Sequence, residues 1–172
     1  NKLHDEGHLY KKAYQGHYSV RQEQYLTEKD RNDEGQSGPE WGEVIELEEE
    51  NWYFKLSEHA AWLREVVTSG EFGVTPDFRR NEVLNALDRA GDTDLCISRP
   101  KDRLHWGIEL PFDPDFVTYV WFDALINYIS FAGYEAGKDL PDFEKLWPAD
   151  LHIIGKDILV PAHAIYWPCM LH

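Results

Sequence analysis

Cysteine is nearly missing from this chain. The 172 residues hold two, Cys96 and Cys169, far apart in sequence and each among apolar neighbours. That usage excludes a disulfide framework and suits a reducing compartment. No apolar run approaches the roughly 20 residues needed to span a bilayer, and no secretory leader pattern is visible. A soluble, cytoplasmic protein with no membrane partner is therefore expected. Basic residues are scarce as well: 17 Lys and Arg stand against 32 Asp and Glu, a formal charge of −15. Nucleic-acid surfaces neutralise phosphates with cations, so the chain as a whole would repel RNA. Between Glu28 and Glu50 ten acidic residues face only Lys29 and Arg31. A solvated hairpin and loop accounts for such a run, and an acidic protein-interaction module is the alternative.

Aromatic residues, by contrast, are abundant. Seven Trp, nine Tyr and eight Phe give large buried area per side chain and favour a packed globular chain. The length fits one domain, or one domain with an inserted subdomain. Asn1-Lys2-Leu3 opens inside a helical pattern, and Pro168 to His172 stops inside another, so an internal piece of a longer protein is expected.

The stretch Val117 to Tyr128 changes hydrophobic period in mid-course. Its β-branched and aromatic first half reads as a buried strand. Asp123 then suits a helix N-cap, because a carboxylate accepts the free N–H groups of a first turn. Ala124, Leu125 and Tyr128 follow at spacings that share one helix face. A strand turning directly into a helix is where α/β folds place ligand sites, so Trp121 at the strand edge and Tyr128 opposite it would form an aromatic cup.

Elsewhere the patterning predicts a helix end closed by Gly7, a strand pair around Gly16, and strands over Glu43–Leu47 and Asn51–Leu56. Helices follow, one capped by Ser57 and one from Pro76 to Gly91, then a short β-segment over Asp94–Ser98. A second strand over Asp150–Ile154 and a last helix near Ile158–Leu171 complete the reading. The first two thirds read as a small mixed α+β insert. The last third reads as βαβα, half of a doubly wound parallel sheet.

Gly155-Lys156-Asp157, just after the second strand, combines a residue that admits close backbone approach with a carboxylate suited to a ribose diol; a plain turn explains it about as well. Arg99 could bind a carboxylate or phosphate bidentately, or serve a surface ion pair. His4 and His8 have the four-residue spacing of a helical metal pair, but Gly7 breaks the helix that would carry them.

Three segments together, Tyr119 to Tyr128, Ile154 to Ile158 and His163 to Pro168, resemble the methionyl-tRNA synthetase family of class I aminoacyl-tRNA synthetases. The likeness extends through Asn51–Ser57, Arg79–Leu84, Ile97-Ser98-Arg99, Trp106-Gly107-Ile108 and Trp147–Asp150. It implies activation of methionine with ATP, as its Mg2+ complex, to methionyl-adenylate, and transfer to tRNA(Met). It implies a Rossmann-like sheet divided by a connective insert: residues 1–8 ending a helix of the first half, 9–116 the insert with its linking helices, and 117–172 the second half. Trp121, Ala124, Leu125, Tyr128, Ile158 and His163 match methionine-pocket positions. Gly155 and Asp157 match positions that hold the adenosine ribose, and Arg99 matches an arginine tied to the activation step.

A thioether is apolar, polarizable and a poor hydrogen-bonding group, so shape and sulfur–aromatic contact must supply selectivity. Synthetases for leucine, isoleucine or cysteine are the alternatives within the class. The family's ATP-phosphate motif, its mobile catalytic loop and its anticodon-binding helices have no counterpart here, so the fragment alone is expected to be inactive. Ser19 and Gln22 stand where many relatives carry a zinc-binding Cys-x-x-Cys, and residues 38–42 lack the second pair. Ser and Gln are poor zinc ligands, which predicts no structural zinc. The segment from Asp157 to His163 is one residue longer than the family's usual spacing, with Pro161 inside it.

Overall fold

The computed structural model describes residues 1–21, 24–26, 37–90, 93–119, 121–135, 137–138 and 141–172, the side chains of 24, 25, 89 and 90 excepted. A short helix α1 (Lys2–Asp5) is closed by Gly7 at φ 80°, a left-handed conformation that favours glycine. Two eleven-residue strands follow, β1 (Leu9–Ser19) and β3 (Val44–Phe54), paired antiparallel in unbroken register from Leu9↔Phe54 to Ser19↔Val44. Gly16 lies inside β1 opposite Leu47, so the expected turn there is absent. A ladder continuous on both strands leaves no place for a reversal. For the same reason the two strands expected around Glu43–Leu56 are one. The two-residue β2 (Gln24–Tyr25) pairs with the end of β1. Residues 27–36, which carry part of the acidic run, lie outside the described residues.

Helix α2 (Leu56–Ser69) begins at β3's end and packs with α3 (Asp77–Ala90). Its first turn is satisfied from a distance. The Ser57 backbone N–H and hydroxyl both donate to Asp94 Oδ1, at 3.0 and 2.7 Å, and the Tyr10 hydroxyl donates to Asp94 Oδ2 at 2.8 Å. Burial alone would raise the Asp94 carboxyl. These donors more than offset it and hold the group below its ordinary value. Burial, together with the bond to Asp94, lifts Tyr10 to about 12.

Short strand β4 (Leu95–Cys96) joins β3, giving the order β2-β1-β3-β4. A second sheet, β5-β7-β6, is built from β5 (Ser98–Pro100), β6 (Glu109–Leu110) and β7 (Asp113–Thr118). Gly107, beside it, meets Val117 so closely that a Cβ there would lie 2.6 Å from the valine side chain. Each ladder in both sheets is antiparallel. The stretch 150–154, expected as a parallel strand, forms none. Leu151 is 73% and Ile153 91% exposed. A β-pattern needs a hydrogen-bonding neighbour, and no described residue supplies one beside it.

Helix α4 (Trp121–Phe131) starts three residues after β7. Asp123 is thus an exposed first-turn residue rather than the N-cap, since β7 loses its partner β5 at Thr118 and Trp121 and Phe122 are already helical. The last segment runs through α5 (Lys156–Ile158), a wide π-type helix (Leu159–Tyr166) broken at Val160 (φ −116°, ψ 127°), and α6 (Trp167–Leu171). Ala164, Ile165 and Cys169 enter one core with Phe54, Leu63, Val67, Val83, Leu87 and Ile97. Burial pushes the Cys169 thiol to about 12, as for an inert packing residue.

Candidate active site

Two segments, far apart in sequence, meet where α4 runs beside the wide helix. Trp121, Leu125 and Tyr128 form one stripe of α4, at intervals of four and three residues. Trp121 and Tyr128 are two turns apart on one helix, about 10 Å along its axis. Lying on one face of one helix, they do not face each other across a cleft, as a strand-edge placement of Trp121 would have required. Trp121 and Tyr128 are half-buried, Leu125 is 1% exposed and Ala124 is exposed.

The wide helix packs against this stripe. His163, 8% exposed, lies 2.7 Å through Nε2 from the Tyr128 hydroxyl and 2.7 Å through Nδ1 from the Ile158 carbonyl oxygen. A carbonyl can only accept, so Nδ1 carries the proton and donates to Ile158. In a neutral imidazole Nε2 is then the acceptor, and the Tyr128 hydroxyl donates to it. The phenol's single proton is committed. Tyr128 is left with its ring and oxygen lone pairs, and with no free donor.

Aromatic rings complete the cluster. Tyr128 meets His152 edge-on at 5.0 Å between centroids, His163 at 5.6 Å and Trp167 at 5.7 Å. Trp147 closes on His152 at 6.0 Å and Trp167 at 5.9 Å. Burial, and the adjacent His163, lower the His152 pKa, favouring the neutral ring. Trp167 is buried, with its indole N–H unpaired among the described residues. Sequence reasoning did not single out His152, Trp147 or Trp167 as site residues; Trp167 was detectable, being four residues after His163.

Gly155 and Asp157 flank the start of α5, both exposed. No atom lies within 4 Å of a Cβ built on Gly155, so the backbone faces open space. Asp157 has no hydrogen bond or ion pair among the described residues, and the Ile158 side chain is partly exposed.

Arg99 lies on β5, opposite Val117. Its guanidinium stacks 3.7 Å from the Tyr119 ring centroid, and Nη1 donates to the Ser98 carbonyl at 2.8 Å and to Cys96 Sγ at 3.2 Å. Burial would lower its pKa, but the surroundings, Cys96, Tyr119 and Glu49, more than offset that and raise it. It belongs to no surface ion pair among the described residues. Ser19, from the expected zinc position, is buried and donates to the Trp41 carbonyl, while Gln22 lies outside the described residues. His4, of the pair considered for metal, stacks on Phe112 at 4.2 Å.

Residues 40–172 match the family model described as tRNA synthetases class I (M). The chain belongs to this family. Among relatives, a methionine–tRNA ligase of Listeria monocytogenes is 41% identical over 178 residues, covering 98% of this chain and 26% of the relative. One from Clostridium acetobutylicum is 43% identical over 171 residues, covering 99% and 26%. Among solved structures, Mycobacterium tuberculosis methionyl-tRNA synthetase bound by methionyl-adenylate superposes with a TM-score of 0.77 at 36% identity, over 99% of this chain and 33% of that one. Its free state gives 0.78 at 37%, over 99% and 34%. The mixed α/β architecture is thus that of the synthetase's Rossmann-type catalytic region. This member spans about a quarter of the curated relatives and a third of the solved chains. No helix among its described residues is long and apolar enough to cross a membrane.

Proposed function

We propose that this chain forms one wall of the active site of a methionine–tRNA ligase. Such an enzyme joins methionine to ATP as methionyl-adenylate and passes it to tRNA(Met). The observation that carries the reading is the relay from Tyr128 through His163 to the Ile158 carbonyl. It fixes an aromatic wall and leaves no free phenolic donor, which suits a side chain that asks for shape and polarizable contact rather than a hydrogen bond. Trp121, Ala124, Leu125, Tyr128, Ile158 and His163 would line the methionine side chain, with Trp167 behind Tyr128. The similarity to a structure bound by methionyl-adenylate supports the same assignment.

In the first step a methionine carboxylate oxygen forms a bond to the α-phosphorus of ATP. The bond from that phosphorus to the oxygen bridging to the β-phosphate breaks, and pyrophosphate leaves with Mg2+. In the second, a terminal ribose hydroxyl of the tRNA bonds to the carbonyl carbon and releases its proton to solvent, while the bond from that carbon to the phosphate oxygen breaks and AMP departs. This chain's residues position and compensate charge. Asp157 accepts the ribose diol where Gly155 leaves room for it, and Arg99 faces an anionic group.

The division into residues 1–8, 9–116 and 117–172 follows the same reading. The ATP-phosphate and most tRNA contacts are assigned to other parts of such an enzyme. The insert holds no zinc, given Ser19, Gln22 and residues 38–42. Calorimetry on the full-length enzyme carrying this chain tests the reading: methionine is expected to bind in clear preference to leucine and isoleucine, and equal binding of the three would overturn it.

A further inference from the structure

The sheet places an aromatic ring beneath Arg99. Ser98 pairs with Thr118 and Arg99 with Val117, so Tyr119 lies opposite Ile97, and its N–H donates to the Ile97 carbonyl at 2.8 Å. Ile97, the residue before β5, alternates onto the same face as Arg99, and Tyr119 joins that face diagonally from Arg99. Below, β5 is stitched to β3. The buried Ser98 hydroxyl donates to Asn51 Oδ1 at 3.0 Å and accepts the Trp52 N–H at 2.8 Å, while the Ile97 N–H donates to the Trp52 carbonyl at 2.9 Å. The arginine therefore rises from a fixed base.

Its guanidinium is held on one face and one edge only. Tyr119 covers the face, and Nη1 is bound by the Ser98 carbonyl and Cys96 Sγ. Nε and Nη2 donate to no described residue. The acid whose charge acts on it, Glu49, is bound by Asn51 and lies 3.8 Å from Arg103. A guanidinium fork with one edge clamped and the other open is set to receive an anion without first being ordered.

We infer that Tyr119 and Cys96 are positioning residues that hold the open edge of Arg99 for the anion handled during methionine activation. This rests on the function proposed above. Neither residue need touch substrate. Tyr119 fixes the plane of the fork, and Cys96 fixes which edge is free.

The test uses the full-length enzyme carrying this chain, with kcat and KM read from methionine-dependent ATP–pyrophosphate exchange and Tm measured in parallel. Tyr119→Leu is expected to lower kcat about 10- to 100-fold while KM for methionine changes less than about threefold, since misplacing a charge by about 1 Å is worth that much. Tyr119→Phe keeps the ring and should hold kcat within about threefold. In an Arg99→Ala background Tyr119→Leu should cost nothing further, because residues acting through one group are not additive. Cys96→Val, close in volume, should lower kcat with Tm preserved, and it serves if Tyr119→Leu fails to fold.

Wild-type kcat in Tyr119→Leu or Cys96→Val, or an undiminished loss from Tyr119→Leu in the Arg99→Ala background, overturns the inference. Exchange that is normal in Arg99→Ala overturns the role of Arg99 and this inference with it, leaving the methionine reading intact. Exchange that never depends on methionine, even in the unsubstituted enzyme, overturns the proposed function itself.

Discussion

Replacing Tyr128 by phenylalanine removes one oxygen and keeps the ring, and so isolates the hydrogen-bond relay from the aromatic wall. The bond lost is a neutral 2.7 Å contact to His163 Nε2. Such bonds contribute about 0.5–1.5 kcal/mol net, and a buried acceptor left unpaired costs about 1–3 kcal/mol. His163 keeps its other bond, to Ile158, so the imidazole stays tethered at one end. The expected cost is therefore about 1–3 kcal/mol of stability, with the pocket still apolar.

For methionine the loss is one of wall geometry. KM should rise about three- to tenfold, equivalent to about 0.6–1.4 kcal/mol, with kcat little changed. His163→Ala breaks the same relay from the other side and strands the phenolic proton. Because both variants remove the same Tyr128–His163 bond, the double variant should be less impaired than the sum of the singles, by about 0.5–1.5 kcal/mol. Pyrophosphate exchange across methionine concentrations for the four enzymes reads this directly. Strict additivity, or an unchanged KM in Tyr128→Phe, would refute the assignment of the relay to the pocket.

Trp121→Ala should raise KM for methionine at least about tenfold, since it removes a sulfur–aromatic contact and much of the apolar wall; unchanged exchange kinetics would remove Trp121 from the pocket. The Asp94 network should show at both ends of the pH scale. Its folded pKa is depressed, so its stabilisation is full above the ordinary carboxylate value, about 3.9, and fades as pH falls through the lower folded value. The pKa of Tyr10 is raised to about 12, so its share is full below the ordinary value of about 10 and fades as pH rises towards 12. Urea titrations of Asp94→Asn should lose stability at neutral pH and flatten both limbs, and an unaltered pH profile would count against the network. Elemental analysis of the purified full-length enzyme should find no zinc attributable to the insert, and one equivalent lost when the insert is deleted would overturn that expectation.

Local patterning read the helices well. α2 and α3 carry their apolar residues at helical spacing, and Gly7 stands where a helix must stop. Strand boundaries were less legible, because a strand is defined by its partner. Gly16 looked like a turn, yet unbroken pairing with β3 carries the chain straight through it. Residues 151–154 have the composition of a strand and nothing among the described residues to pair with. Asp123 looked like an N-cap by type, but where β7 lost its partner decided where α4 began. Residue identities pointed to Tyr128 and His163, while the bond between them, 35 positions apart in sequence, needed coordinates. The ring beneath Arg99 was hidden for a similar reason, since it depends on the register between β5 and β7.

The wide helix lies between the core packed around α2 and α3 and the aromatic cluster on α4. Its residues and those of α6 serve two masters: Ala164, Ile165 and Cys169 are buried with the α2 and α3 side chains, whereas His163 and Trp167 turn towards α4. A π-type turn holds more residues than an α-turn and so changes which side chains fall on each face. The break at Val160 lies between Ile158 and His163, the acceptor and the donor of the relay's second bond. The bond from His163 to Ile158 spans the irregular turn and fixes the imidazole on its far side. Packing against α2 and α3 sets the position of the helix, and the relay sets the angle of the ring it presents.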